Sequence, residues 1–85
     1  MITEEMKSKA RTMAVMLRIG KSGLTKGMLD EIRSQIKKKK LVKIKMLKSS
    51  LGGMSPSVIA TEIVHTTNSE LVSLVGNTIV IYKKS

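Results

Sequence analysis

The chain has 85 residues, enough for one small domain, and it contains no cysteine, so disulfides, thiol catalysis and cysteine-ligated metals are excluded. No apolar run reaches the roughly 20 residues that a membrane-spanning helix needs, and the acidic N-terminus lacks the apolar segment of a signal peptide. We therefore expect a single cytoplasmic domain over residues 1–85.

The positive charge of the chain is concentrated in its first half. Sixteen Lys and Arg residues against six Asp and Glu residues give a formal net charge of +10. Residues 1–48 contain 14 of the basic residues and four of the acidic ones, so residues 49–85 are neutral overall. Such an asymmetry predicts a surface that binds a polyanion. The alternative is a solvated basic surface without a partner.

A short helix and a short strand are predicted first. Thr3 has the character of an N-cap, and apolar residues recur at helical spacing after it, which indicates a helix over about residues 4–13. The apolar run 15–19, with Arg18 inside it, then predicts a partly buried strand.

A glycine loop, Gly20 to Gly23, joins this strand to a second predicted helix. That helix covers about residues 25–39, with Thr25 as its N-cap. A strand that passes through glycines into a helix can bring backbone amides and the positive end of the helix dipole to a phosphate. By itself, however, the Gly-x-x-Gly pattern also fits an ordinary tight turn. Gly27 predicts either the close approach of another backbone or tight packing against a neighbouring strand.

The next predicted strand is strongly basic on one side. It covers residues 41–47, which alternate in polarity, so one face is buried. Lys43 and Lys45 lie on the other face, which must be solvated or must meet an anion. A loop follows over residues 49–54.

A third helix and a hairpin complete the chain. Ser55-Pro56 predicts a helix start, although the β-branched residues that follow favour a strand. Strands at about 70–75 and 78–83 are joined by a tight turn at Gly76-Asn77. The predicted fold is a small α/β domain in the order α-β-α-β-α-β-β, with a four-stranded mixed sheet and packed helices.

The side chains that catalysis or metal binding needs are scarce. His65 is the single histidine, and a surface or packing role suits it better, since no second His and no Cys can complete a metal site or a nucleophile pair. We expect no enzyme and no cofactor. With no Phe or Trp and one Tyr, the chain also has too few aromatic rings for a base-stacking platform.

Three blocks of the sequence resemble a known family. They are residues 19–25 (IGKSGLT), 41–45 (LVKIK) and 75–83 (VGNTIVIYK). In this order and spacing they are similar to the YhbY family, also called the CRM domain (chloroplast RNA splicing and ribosome maturation). Two positions depart from the family pattern: Lys39-Lys40 stands where His-Glu is frequent, and Lys83 replaces an arginine. Both departures leave the argument for phosphate binding intact.

The resemblance implies a fold like the C-terminal domain of translation initiation factor three, and RNA binding through the Gly-x-x-Gly loop and the basic surface near it. Stand-alone members of the family are associated with precursors of the large ribosomal subunit. The resulting hypothesis is a monomeric ribosome-assembly factor. Its partners would be ribosomal RNA or its precursor, together with ribosomal proteins, and no membrane.

In this hypothesis one phosphate binds the amides of Ser22 and Gly23 and the N-terminus of the second helix, and further cations continue the contact. The predicted RNA-binding residues are Gly20, Lys21, Ser22, Gly23, Thr25, Lys26, Arg33, Lys37, Lys40, Lys43 and Lys45. Two alternatives remain. One is an Alba-like dimer that coats nucleic acid, and the other is a module that docks on ribosomal proteins and uses its charge for steering.

Overall fold

Three helices and four strands make up the part of the chain that this computed structural model describes, residues 2–84. Their order, α-β-α-β-α-β-β, is the predicted one. The elements are α1 (Glu4–Thr12), β1 (Leu17–Ile19), α2 (Lys26–Lys39), β2 (Leu41–Met46), α3 (Pro56–Thr67), β3 (Ser69–Val75) and β4 (Thr78–Lys83). Among the helices in this range, none is long and apolar enough to cross a membrane.

Side-chain caps set the start of the first two helices. The hydroxyl oxygens of Thr3 and Thr25 accept hydrogen bonds from the amides of Met6 and Met28, each at 3.1 Å. These bonds satisfy amides that have no acceptor within the helix, so both predicted N-caps are confirmed. α3 begins at Pro56, which has no amide to satisfy in the first turn.

α3 is helical although its β-branched residues favour a strand. Ile59, Ala60 and Ile63 recur at helical spacing and are buried in the core, and this packing outweighs the intrinsic propensity. Asn68, in the left-handed conformation with φ 51°, ends the helix, and its amide donates to the carbonyl oxygen of His65. Asn tolerates this conformation better than most residues do.

The structure differs from the predicted elements in two short segments. β1 has three residues instead of the run 15–19, although the Met16 amide still donates to the carbonyl oxygen of Lys43 at 2.8 Å. A short 3-10 helix (Lys48–Leu51) occupies part of the predicted loop and buries Leu51 in the core. Segments this short have no hydrophobic period that the sequence could reveal.

The strands form one mixed sheet in the order β1-β2-β4-β3. β1 and β2 are parallel, while β4 pairs antiparallel with both β2 and β3. The predicted four-stranded mixed sheet is thus confirmed. The predicted hairpin turn joins β3 to β4, and Gly76 in it has a positive φ of 59°, which glycine adopts without strain.

The helices cover both faces of the sheet. α2 and α3 pack on one face over the larger core, where Ile32 and Ile63 of the helices meet Ile44 and Ile79 of the strands. α1 packs on the other face over a smaller core, which contains Ala10, Leu41, Val72 and Val80. Because successive residues of a strand point to opposite faces, β2 presents its lysines to the α1 side and its isoleucine to the α2 side.

Candidate nucleic-acid interface

The glycine loop is a closed turn at the N-terminal end of α2. The Gly23 amide donates to the carbonyl oxygen of Gly20 at 3.0 Å, and the Thr25 amide donates to the carbonyl oxygen of Gly23 at 3.1 Å. Gly23 has a positive φ of 76°, so the turn requires glycine at this position. The Gly23 amide is thus paired within the turn in this structure, and the prediction that it binds the phosphate stays untested.

Other amides close to this turn have no acceptor. Within residues 2–84, the amides of Lys21, Ser22, Lys26 and Gly27 donate no hydrogen bond, and all four residues are exposed. Lys26 and Gly27 stand in the first turn of α2, where amides have no intrahelical acceptor and the helix dipole is positive. We call these four residues the loop site, which combines free amides with two lysine side chains.

Gly27 leaves open space beside the loop site. Among the described residues outside its own helix and its chain neighbours, a Cβ atom on Gly27 would have one atom within 4 Å, Oγ1 of Thr25, at 3.9 Å. The alternative that Gly27 packs tightly against a strand is therefore wrong. The approach of a ligand backbone to this open position stays a prediction.

One exposed face of α2 continues from the loop site. Lys26, Arg33 and Lys37 recur at the spacing of a single helix face. Arg33 also connects two helices, since its guanidinium donates to Oδ1 of Asp30 and to the carbonyl oxygen of Thr66 in α3, both at 3.2 Å. The Arg33 side chain remains 45% exposed, so it has a structural role and is still accessible to a ligand.

Lys37 and Lys40 lie at the opposite end of α2 from the loop site. A helix rises about 1.5 Å per residue, so about 16 Å separates Lys26 from Lys37. Lys40 ends the helix with a positive φ of 62°, and its carbonyl oxygen accepts a hydrogen bond from the Lys83 amide at 2.7 Å. A ligand that contacts both ends of α2 must therefore extend over several phosphates.

Lys43 has a structural role on the α1 side of the sheet. Its ammonium group donates to the carbonyl oxygens of Ala10 at 2.9 Å and Met13 at 3.1 Å. These carbonyls lie at the C-terminal end of α1, where a cation is favourable to the helix dipole. The prediction that this lysine faces solvent or an anion is corrected, because it caps a helix of its own chain.

Lys45 belongs to a second basic surface on the same side. Arg18 lies beside Lys45 in the parallel register of β1 and β2, and Lys7 and Arg11 of α1 line the same groove as Lys45. We call Lys7, Arg11, Arg18 and Lys45 the α1 surface. The predicted site residues are thus divided between two faces of the sheet. Two sequence signals point to this face: the charged residue inside the apolar run 15–19, and the alternation that places Lys45 opposite the buried side of β2.

An apolar groove lies between α2 and α3, next to the loop site. It has a volume of about 640 Å³. Its lining includes Leu24, Leu29, Leu51, Met54, Val58 and Glu62. Leu24 directly follows the glycine loop, so this α2/α3 groove adjoins the loop site. The sequence does not predict the groove, because its lining comes from segments that are distant along the chain.

The fold and its surfaces define a class of protein, a small α/β domain that exposes cations and free amides at the start of a helix. Within residues 2–84, no group of three or more His, Cys, Asp or Glu residues could hold a metal ion. The family model of the CRS1 / YhbY (CRM) domain matches residues 2–83. The chain belongs to this family, and the resemblance carried by its three sequence blocks is confirmed.

Relatives with similar sequence and structure carry RNA-binding names. "Probable RNA-binding protein YqeI" of Bacillus subtilis (strain 168) is 30% identical over 80 residues, which cover 94% of this chain and 81% of that relative. The solution structure of "the hypothetical protein SAV1595 from Staphylococcus aureus, a putative RNA binding protein" has a similar fold, with a TM-score of 0.74 and 27% identity. The similarity covers 100% of this chain and 91% of that one.

Proposed function

We propose that this protein binds RNA, and that the loop site is where the RNA backbone is held. The observation that carries the proposal is the set of acceptor-free amides at Lys21, Ser22, Lys26 and Gly27, next to two lysine side chains. Backbone amides at a helix N-terminus bind phosphate oxygens well because their dipoles already point toward the anion. The names of the two relatives and the family membership support RNA as the ligand.

The binding mode follows from the composition of the surface. The amides and Lys21 bind one phosphate, Gly20 and Gly23 shape the turn, and Thr25 orients the first turn of α2. Lys26, Arg33 and Lys37 then extend the contact along α2, and Lys40 is reached by longer RNA. Phosphate contacts position a protein but carry little sequence information. Specificity therefore comes from the shape of the RNA or from its single-stranded segments.

The biological role that we propose is more specific than RNA binding. The chain acts as a cytoplasmic monomer in ribosome assembly, on precursor RNA of the large subunit, in the company of ribosomal proteins. Crosslinking in cells, followed by sequencing of the bound RNA, tests this role. Recovery of mainly unrelated RNA or DNA would contradict it.

The electrostatic mechanism predicts a steep dependence of affinity on salt. If four cations contact phosphates, log K against log salt has a slope of about −3. Fluorescence anisotropy with a labelled RNA stem-loop measures this slope between 50 and 200 mM salt. Over this range, complexes with several phosphate contacts weaken by orders of magnitude. A nearly flat line would exclude phosphate contacts as the source of the affinity.

Gly20→Asp is the sharpest test of the loop. Gly20 has no positive φ, and a Cβ atom on it would meet no described atom within 4 Å, so the fold tolerates the change. The added carboxylate repels phosphate, and we expect affinity to fall by at least about tenfold. Asn68→Asp adds the same charge at the end of α3 and should leave affinity nearly unchanged. Equal affinity of both variants would show that the loop is only a turn.

A further inference from the structure

We propose that the α2/α3 groove receives an unstacked base of the same RNA strand whose phosphate binds at the loop site. This inference rests on the proposed function and adds the class of RNA to it, namely single-stranded RNA. The groove has about 640 Å³ of space. This lies within the size range of pockets that bind small organic groups.

The charges around the groove match the two ends of a nucleotide. Lys21 and Lys26 stand at the loop site, whereas the lining of the groove contains no Lys or Arg and a single acidic residue, Glu62. A phosphate is therefore attracted to the loop and repelled from the groove. A nucleobase is uncharged and has apolar faces, so it is the part of the nucleotide that this lining accepts.

The mouth of the groove exposes apolar side chains that a base would cover. Met54 and Val58 are each 50% exposed, although both are large and hydrophobic. Met is flexible and polarisable, so it can adapt to a flat ring without an aromatic partner. Apolar side chains of this kind can contact a base even though the chain has almost no aromatic residues that could stack on it.

The groove is also bounded along its length. Leu29 and Glu62 line it, and one helical turn further on, Arg33 of α2 donates to the carbonyl oxygen of Thr66 in α3. This bond joins the two helices beyond the groove. Gly52 also lines the groove, and with a positive φ of 58° and no described atom within 4 Å of a Cβ position it adds no side chain that would fill the groove. Leu24, which directly follows the glycine loop, lines the groove as well, so a base can enter from the side of that loop.

The experiment compares two probes of equal charge on the full chain. One is single-stranded hexaadenylate, and the other is a hexamer of abasic ribose phosphate. Both should shift the amide resonances of the loop site in NMR spectra. Only hexaadenylate should also shift the methyl resonances of Leu24, Met54 and Val58, and it should bind roughly fivefold more tightly, as expected for covering half-exposed apolar side chains.

A double variant, Met54→Gln with Val58→Thr, tests the groove directly. It should lose about that fivefold advantage for hexaadenylate while its affinity for the abasic hexamer stays the same. Val75→Thr is the matched control, since Val75 is 74% exposed and is not among the groove residues. Its affinity for both probes should equal that of the original chain.

The outcomes separate the groove from the loop. If both hexamers bind equally and shift only the loop amides, the groove takes no base and the inference is wrong, while the proposed function stands. If neither hexamer binds, the proposed function fails and the groove assignment fails with it. If the groove methyl resonances shift with protein concentration alone, a second copy of the chain covers the groove and the inference is overturned.

Discussion

Lys43 shows that the role of a single residue can depend on contacts that its sequence pattern does not reveal. The alternation of β2 correctly predicts which face this lysine occupies. It does not predict that the end of α1 covers the same face, which gives the ammonium two carbonyl oxygens within 3.1 Å. The partner segments are 30 and 33 residues away in the chain, a separation that no local pattern reports.

Lys43→Met should therefore destabilise the fold. The methionine keeps the apolar stem but removes two charge-assisted hydrogen bonds and leaves helix-terminal carbonyls without a donor, for an expected loss of about 1–3 kcal/mol. Urea unfolding measures the change. Lys45→Met, on the same strand but exposed, should change the free energy of unfolding by less than about 0.5 kcal/mol. Equal effects of the two variants would show that the Lys43 cap contributes nothing.

Gly27→Ala separates stability from binding. Alanine suits a helix better than glycine, and the nearest atom outside the helix is 3.9 Å from the new Cβ, so stability should rise by about 0.5–1 kcal/mol. If RNA approaches this position, affinity should fall even though the fold is firmer. Ser34→Ala, two turns further along the same side of α2, should raise stability without weakening RNA binding. Thermal unfolding measures the change in stability, and anisotropy titrations measure the change in RNA affinity.

At the scale of the element, α2 combines the loop site with a directional basic face. Its two long sides differ, since Lys26, Arg33 and Lys37 lie on one side and Lys38 lies about 100° around the helix from Lys37. The side that carries Arg33 also adjoins α3 and the α2/α3 groove. A charge on this side should therefore matter for RNA binding more than an equal charge elsewhere on the helix.

Lys37→Gln and Lys38→Gln test this directionality. Each removes one positive charge from the last turn of α2, so their effects on stability are similar. Lys37→Gln should make the slope of log K against log salt less steep by about 0.7–1, the value of one lost phosphate contact. Lys38→Gln should leave the slope unchanged. Identical slopes would indicate diffuse attraction to the whole helix.

The elements themselves were largely predictable, for physical reasons that are local. Thr3, Thr25 and Pro56 act within one helical turn, and apolar periodicity over ten or more residues reports a buried helix face. The 3-10 helix and the α2/α3 groove were not predictable. The first is too short to show a period, and the second exists only after α2, α3 and the segment around Leu51 have packed together.

At the scale of the whole molecule, the sheet divides the positive charge that the sequence concentrates in its first half. The loop site and the basic face of α2 lie on one side, and the α1 surface lies on the other. Net charge and its position along the chain predict that a polyanion is attracted, but they do not predict that the basic residues form two separate surfaces. Removing the same number of positive charges from each surface therefore tests which of the two binds RNA.

Two double variants, each of which removes two positive charges, distinguish the two surfaces. Lys21→Gln with Lys26→Gln changes the loop site, whereas Arg18→Gln with Lys45→Gln changes the α1 surface. Long-range attraction weakens equally in both, so any difference reports local contact. We expect the loop-site pair to lose at least about tenfold in affinity and the α1-surface pair to lose only a fewfold. The reverse order would move the interface to the α1 side.

The position of β4 has a consequence for how the chain is made. This strand is the last in the described sequence, yet it lies between β2 and β3 and pairs with both. A nascent chain that ends at Gly76 therefore contains the loop site and the three helices described above, but it lacks β4, the strand with which both β2 and β3 pair. The sheet on which α2 and the loop site are placed is complete only after translation has passed residue 83.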